Sequence, residues 1–309
     1  MAVRKGEPVF SSVSGYADLE NRTLITPQTN FRLASVSKQF TAAAILVLLQ
    51  RSKLSLEDKL GKFFPEFSGY GENISIYQIL THSAGLPDYE DLAAASDAGQ
   101  IHDEDVLKFL AAQQRGYFPP GGQYRYSNGG YCLLRLVVER VSGEPFADFM
   151  RKEIFIPSGM KNTVVNHQGV THIEHRSYGY SCEAGGIRRT DQNRTSATIG
   201  DGGIYSSIED MQAWDRALYT DTPLSQESRA LMFKAHIPTD ENPGVHYGLG
   251  FFIKKHRGET VLYHGGSSIG FRTGIYRVPA KEISVIFLSN RSEGCGEDMC
   301  EKIMDIFIR

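Results

Sequence analysis

Cysteine is scarce in this sequence, and long apolar runs are missing. The four cysteines, Cys132, Cys182, Cys295 and Cys300, contain no C-x-x-C pair, and no His/Cys pair of matching spacing accompanies Cys295 and Cys300. That spacing excludes an ordinary zinc ribbon. The thiols read as free in a reducing compartment, with a single disulfide between two of them left open. The longest apolar run, 42–49, is too short to cross a bilayer. The N-terminus carries no apolar signal segment. The expectation is a cytoplasmic protein with no membrane partner, or a periplasmic or secreted one if a leader has been removed. An excess of one charge sign is also missing. Thirty-three Lys and Arg against 36 Asp and Glu leave a net charge of −3, which gives no pull toward nucleic acid or an anionic membrane. Repeats and low-complexity segments are absent.

What is present is an ordinary globular composition, 41% hydrophobic and 22% charged over 309 residues. That length suits one large domain or two joined ones, with a core that needs no covalent staples. Short β segments with turns at Gly6, Asn21 and Pro27 fill the first thirty residues. Ser75 is placed to cap a short helix, and 103–114 carries an apolar stripe of Val106, Leu107, Phe109 and Leu110. A buried helix starts near Gly129 and ends at Gly143. Residues 161–203 are polar and weakly patterned, so they are expected to wrap over the surface. Ser207 and Asp210 resemble a capping box ahead of a helix around Trp214. Segments 247–254, 260–263, 271–278 and 283–288 have the length and residue types of an antiparallel meander, and 297–308 of a closing helix. The predicted class is α/β (α+β). Residues 1–65 and 200–309 form a sheet domain around a mostly helical insertion, 66–199. A ligand site belongs in the cleft between them.

The run from Gln39 to Gln50 is nearly apolar on every side, so it predicts a buried helix. Lys38 stands at its mouth, where a charged amine costs free energy. Ser35 lies three residues earlier, on the same helical face. A hydroxyl beside a desolvated amine suits nucleophilic attack, because the amine can take the proton. The bland alternative is a helix cap beside a surface lysine. Tyr126-Ser127-Asn128 is the only Tyr-x-Asn in the chain. Tyr126 suits a proton carrier, and Asn128 offers a donor and an acceptor for Lys38 and a substrate carbonyl. A packed Tyr and a helix-capping Asn are the plainer roles. His264-Gly265-Gly266-Ser267 follows a strand pattern. Its glycines let a substrate lie close to the backbone, and the N–H groups of Ser35 and Ser267 would complete an oxyanion hole.

Three decoys accompany these. Ser158 and Lys161 repeat the S-x-x-K spacing, but Pro157 and Gly159 mark a turn. Residues 266–270 match G-x-S-x-G around Ser268, yet a strand pattern follows where that motif needs a helix. His167, His172 and His175 cluster with Glu174 at a spacing that fits no zinc motif, and read as a solvated loop.

In this order the three elements resemble the SxxK serine hydrolases: class C β-lactamases, penicillin-binding proteins and family VIII-type esterases. Residues 31–42, 80–88, 124–131, 202–207 and 264–271 each resemble a block of that family. The resemblance implies a β-lactamase/transpeptidase-like fold, with a five-stranded antiparallel sheet, flanking helices and a mostly helical second domain. It implies an acyl-enzyme on Ser35, with Lys38 and Tyr126 sharing the proton transfers and Tyr126 activating the deacylating water. Asn128, His264, Gly265, Gly266 and Ser267 become substrate-binding residues. No cofactor or metal is implied.

Two departures from the family matter. The family usually has a helix and a fuller first strand before the point where this sequence begins, so an incomplete sheet edge is expected. The third motif is His-Gly-Gly, not Lys-Thr-Gly. A neutral histidine suits a substrate carboxylate less than an ammonium does, and Arg272 reads as a strand-surface residue. The expected substrate is therefore a small ester or amide. A β-lactamase, a D-alanyl-D-alanine carboxypeptidase or D-aminopeptidase, and a penicillin-binding sensor with little turnover are the alternatives. The sequence carries no signal for oligomeric state.

Overall fold

The computed structural model describes residues 1–67, 69–94, 99–167, 169–239, 243–294 and 296–308. Its largest sheet is antiparallel and joins both ends of the chain. The strands are β1 (Ala2–Arg4), β2 (Glu7–Phe10), β3 (Ile237–Pro238), β4 (His246–Tyr247), β5 (Phe252–His256), β6 (Glu259–Ser268), β7 (Phe271–Val278) and β8 (Ile283–Ser289). Their spatial order is β3-β4-β5-β6-β7-β8-β1-β2. Five of them, β5 to β8 and β1, form the body that the family resemblance implies. Short β2, β3 and β4 extend its two edges.

The central strands are rich in Val, Ile, Phe and Tyr, which suit a pleated surface packed on both faces. One face receives α5 (Gly296–Ile308), through a cluster that includes Val261, Tyr276, Val285, Cys300 and Met304. The other faces the main core, around α1 (Lys38–Gln50), α3 (Asn128–Ser142) and α4 (Ile208–Ala217). Helix α2 (Asp103–Ala111) packs on α3. Every residue of α1 from Lys38 to Leu48 is buried, as its all-round apolar pattern requires. Phe40 fixes its orientation against Trp214 and Phe155, with ring centroids 4.7 and 5.9 Å away. The Trp214 indole donates to Gln39 Oε1 at 2.8 Å. Helix α3 begins where Ser127 Oγ accepts the Gly130 N–H and ends at left-handed Gly143.

Several local expectations change: the expected strand 247–254 divides into β4 and β5, and β6 has 10 residues where 260–263 was expected. Ser207 does cap α4, accepting the Asp210 N–H, but the Asp210 carboxylate does not complete a box. It accepts the N–H groups of Lys161, Asn162 and Thr163 instead, tying a loop to the helix start. The 161–203 segment is also less superficial than its polarity suggests. Ser196, Ala197, Thr198, Ile199 and Asp201 are buried. Asp103, at the start of α2, accepts the Ile199 and Gly200 N–H groups and so holds this stretch inside. Burial pushes the Asp103 carboxyl up to about 7, against the opposing pull of Arg135.

Cys132 is a buried free thiol and Cys182 an exposed one, while Cys295 lies outside the described residues. Among the described residues no helix is long and apolar enough to cross a membrane.

Candidate active site

Ser35 sits in a single 3-10 turn, Ala34–Ser37, that leads directly into α1. Short pairing of residues 31 and 32 with 205 and 206 delivers the chain to this point. Ala34 then takes φ +48°, a conformation L residues rarely hold and one that clusters at functional sites. Strand β6 presses against the turn. A Cβ at Gly266 would stand 2.2 Å from the Leu33 carbonyl oxygen, so only glycine permits this approach. Strand β5 pairs with β6 only as far as Phe252 opposite Tyr263, whereas β7 continues beyond it to Ser268. The 264–268 stretch therefore lies beside Ser35 with β5 no longer covering that edge.

Lys38 is fully buried and its Nζ has three polar neighbours. They are Ser35 Oγ at 3.1 Å, Asn128 Oδ1 at 2.7 Å and the Asp201 carbonyl oxygen at 3.0 Å. The last two are acceptors only. Lys38 Nζ donates to each of them, and of the three only the Ser35 hydroxyl also carries a proton to give. The Tyr126 ring centroid lies 4.8 Å from the same nitrogen.

Two clefts meet at Ser35. The larger, about 690 Å³, is lined by Tyr126, His264, Arg272 and the β6 glycines among others. The smaller, about 160 Å³, holds Glu90, Asn128, Asp201 and Arg32. Asn128 bridges the two halves of the chemistry, accepting from Lys38 and donating Nδ2–H to Glu90 Oε1 at 2.6 Å. Burial raises the Glu90 carboxyl above its ordinary value; the Asn128 hydrogen bond opposes this and the nearby Asp201 carboxylate adds to it. Asp201 is buried, and its Oδ1 has no hydrogen-bond partner among the described residues. Arg32 turns Nη1 to the Ser196 carbonyl at 3.0 Å.

A family model described as Beta-lactamase matches residues 1–302. The chain belongs to the β-lactamase family of serine hydrolases. Penicillin-binding protein 4* of Bacillus subtilis (strain 168) is 31% identical to it over 311 residues, 95% of this chain and 68% of that one. A D-aminopeptidase of Brucella anthropi is 29% identical over 309 residues, and this chain spans 58% of its length. The β-lactamase-family fold is equally clear in three dimensions. The crystal structure of a penicillin-binding protein from Bacillus halodurans matches with a TM-score of 0.88 at 27% identity, covering 99% of this chain and 94% of that one.

Within this β-lactamase-family frame the expected site residues converge: Ser35, Lys38, Tyr126, Asn128, His264, Gly265, Gly266 and Ser267 line or border the two clefts. Two of the three decoys stay apart, and the third, Ser268, borders the small cleft without the helix its motif needs. Ser158 ends a short helix, and its Oγ has no partner among the described residues. Ser268 closes β6, and β7 follows after a two-residue turn, with no helix. His167, His172 and His175 are exposed. Arg272 reaches the large cleft, but its Nη1 donates to the Ser268 and Phe271 carbonyls. Three residues were missed by sequence reasoning: His82, Glu90 and Asp201. Only His82 had a signal, as part of the block at 80–88 that resembles the family.

His264 lines the cleft as a neutral ring. Its Nδ1–H donates to the Gly265 carbonyl at 2.7 Å, which leaves Nε2 to accept from the Tyr247 hydroxyl at 3.3 Å. Burial, reinforced by Lys38, pushes it down to about 3. The sign is that of a depressed base. Stability tied to this ring is fully present above its ordinary value and is lost as pH falls toward 3. Between pH 5 and 8 His264 adds no positive charge to the cleft. The rate of acylation by a penicillin is therefore expected not to rise as pH is lowered from 8 to 5.5, in the wild type and in His264→Gln alike. Stopped-flow acylation across that range checks it; a rise lost in His264→Gln contradicts it.

Proposed function

We propose that this chain hydrolyses small amides or esters through an acyl-enzyme on Ser35, with amino-acid amides as the preferred class. The observation that carries the reaction type is the placement of Lys38 Nζ, 3.1 Å from Ser35 Oγ and held by two acceptors, so that a neutral amine would keep its lone pair for the Ser35 hydroxyl. Ser35 attacks the carbonyl and Lys38 accepts its proton. Tyr126 relays that proton to the leaving group and later activates water. The N–H groups of Ser35 and Ser267 hold the oxyanion. Asn128 orients the acyl group, and neutral His264 with Gly265 and Gly266 shapes the leaving-group side. On this reading the site lies at the junction of the sheet domain, 1–65 and 200–309, with the helical domain, 66–199.

Glu90 and Asp201 support the substrate class. Two carboxylates in the small cleft, against one guanidinium already turned to a carbonyl, favour a cationic group on the acyl side. An α-ammonium meets that demand, and the resemblance to D-aminopeptidases agrees with it. A neutral His264 supports weak handling of the penicillin carboxylate.

The test is intact-mass spectrometry over time with a panel of amino-acid amides, neutral esters and a penicillin. The expected result is fast turnover of the amides and a transient adduct on Ser35. A stable penicilloyl adduct with no amide turnover would favour a sensor instead.

A further inference from the structure

We propose that His82 is the positioning residue for Tyr126, and this rests on the proton-relay role given to Tyr126 above. His82 belongs to the loop after the Ile76–Leu80 helix and is 1% exposed. Its main chain and side chain grip the Tyr126 segment from both sides. The Arg125 N–H donates to the His82 carbonyl at 2.8 Å, and the Ser127 N–H donates to His82 Nδ1 at 3.1 Å. The residue between those two bonds is Tyr126. Its ring lies against the imidazole, with centroids 4.3 Å apart and planes 32° from parallel. Tyr247 backs the imidazole at 4.5 Å and Tyr131 at 5.1 Å.

Two further features make His82 specific to this task. It holds φ +57°, a left-handed conformation that a loop with no such demand would give to glycine. Its Nδ1 must accept, so the proton sits on Nε2, which is buried with no partner among the described residues. An unpaired buried N–H is unfavourable, and the arrangement persists where an acceptor for Ser127 and a flat ring for Tyr126 are needed in one side chain. Burial, with Lys38 and His264 nearby, keeps the ring neutral. No charge is therefore placed against the tyrosine.

The test is a double-mutant cycle on ester hydrolysis in the full chain. His82→Phe keeps a ring and removes the acceptor. It is expected to lower kcat by about tenfold or somewhat more, part of the 10²- to 10⁴-fold that positioned acid–base groups supply, with KM little changed. His82→Asn puts an amide oxygen where Nδ1 was and is expected to recover most of the loss. In a Tyr126→Phe background His82→Phe is expected to change kcat less than about twofold, because residues acting as a unit are not additive. An equal loss in both backgrounds, or no loss from His82→Phe and His82→Asn in the wild-type background, overturns the positioning role alone. Full activity in Tyr126→Phe overturns the relay role of Tyr126 and the positioning role with it.

Discussion

Ser35→Ala is expected to reduce turnover of p-nitrophenyl acetate by about 10⁴-fold or more, the scale seen when a covalent nucleophile is removed. The protein should keep its fold. Ser35 is half-buried, and its hydroxyl is engaged by Lys38 alone among the side-chain bonds of the described residues. Lys38 retains Asn128 Oδ1 and the Asp201 carbonyl in the variant. The stability change is then about 1 kcal/mol or less, the net worth of one ordinary hydrogen bond. Thermal melting separates this from unfolding. Intact-mass spectrometry adds the decisive readout, since the wild type should show an acyl adduct that the variant lacks. Ser268 is the serine that could mislead, because it lines the small cleft. Its Oγ has no partner among the described residues, so no base is in place to activate it. An adduct surviving in Ser35→Ala and mapping to Ser268 would overturn the assignment of the nucleophile.

How much of this site could be read in the sequence depended on which part of each residue does the work. Ser35 and Lys38 were legible because a spacing of three keeps both side chains together even where the 3-10 turn holding Ser35 leads into the apolar helix that Lys38 begins. Tyr126, Asn128 and the His264 segment were legible as local motifs that resemble family blocks. Asp201 was not, because it serves Lys38 through its backbone carbonyl, a group every residue type carries. Glu90 was not, because it meets Asn128 across 38 residues and begins a helix whose first turn looks solvated.

The fold divides in the same way. The last two strands and the limits of α1, α3 and α5 follow from residue pattern and from Gly143, whereas the expected strand 247–254 divides into β4 and β5 and the expected 260–263 runs on to Ser268 in β6. The 161–203 segment misled because polar composition was read as exposure. Its far end is buried, since Asp103 and Lys38 satisfy its backbone groups there. Residue patterns report burial of apolar side chains well and burial of hydrogen-bonded backbone poorly.

Glu90→Gln tests the substrate class and has the second-largest expected effect. Gln keeps an oxygen that can accept from Asn128 Nδ2, so the bridge from Glu90 through Asn128 to Lys38 survives the change. What is lost is one negative charge in a cleft of about 160 Å³. Truncating one partner of a buried, hydrogen-bonded charge pair costs about 2–5 kcal/mol. At the lower end that is about 30-fold in kcat/KM for an amino-acid amide. A neutral ester, with no ammonium to place, should lose no more than about threefold, because the acid–base groups are untouched. The pH dependence follows from the direction of the Glu90 shift. Burial holds its carboxyl above the ordinary value, and only the ionised form attracts a cation. As pH falls, amide hydrolysis should therefore fail at a higher pH than ester hydrolysis does. Glu90→Gln should merge the two acid limbs, because the group that separates them is gone. Parallel kcat/KM profiles for both substrates in both proteins supply the check. Equal losses on amide and ester would instead place Glu90 behind Asn128 as a support, and the preference for amino-acid amides would fall.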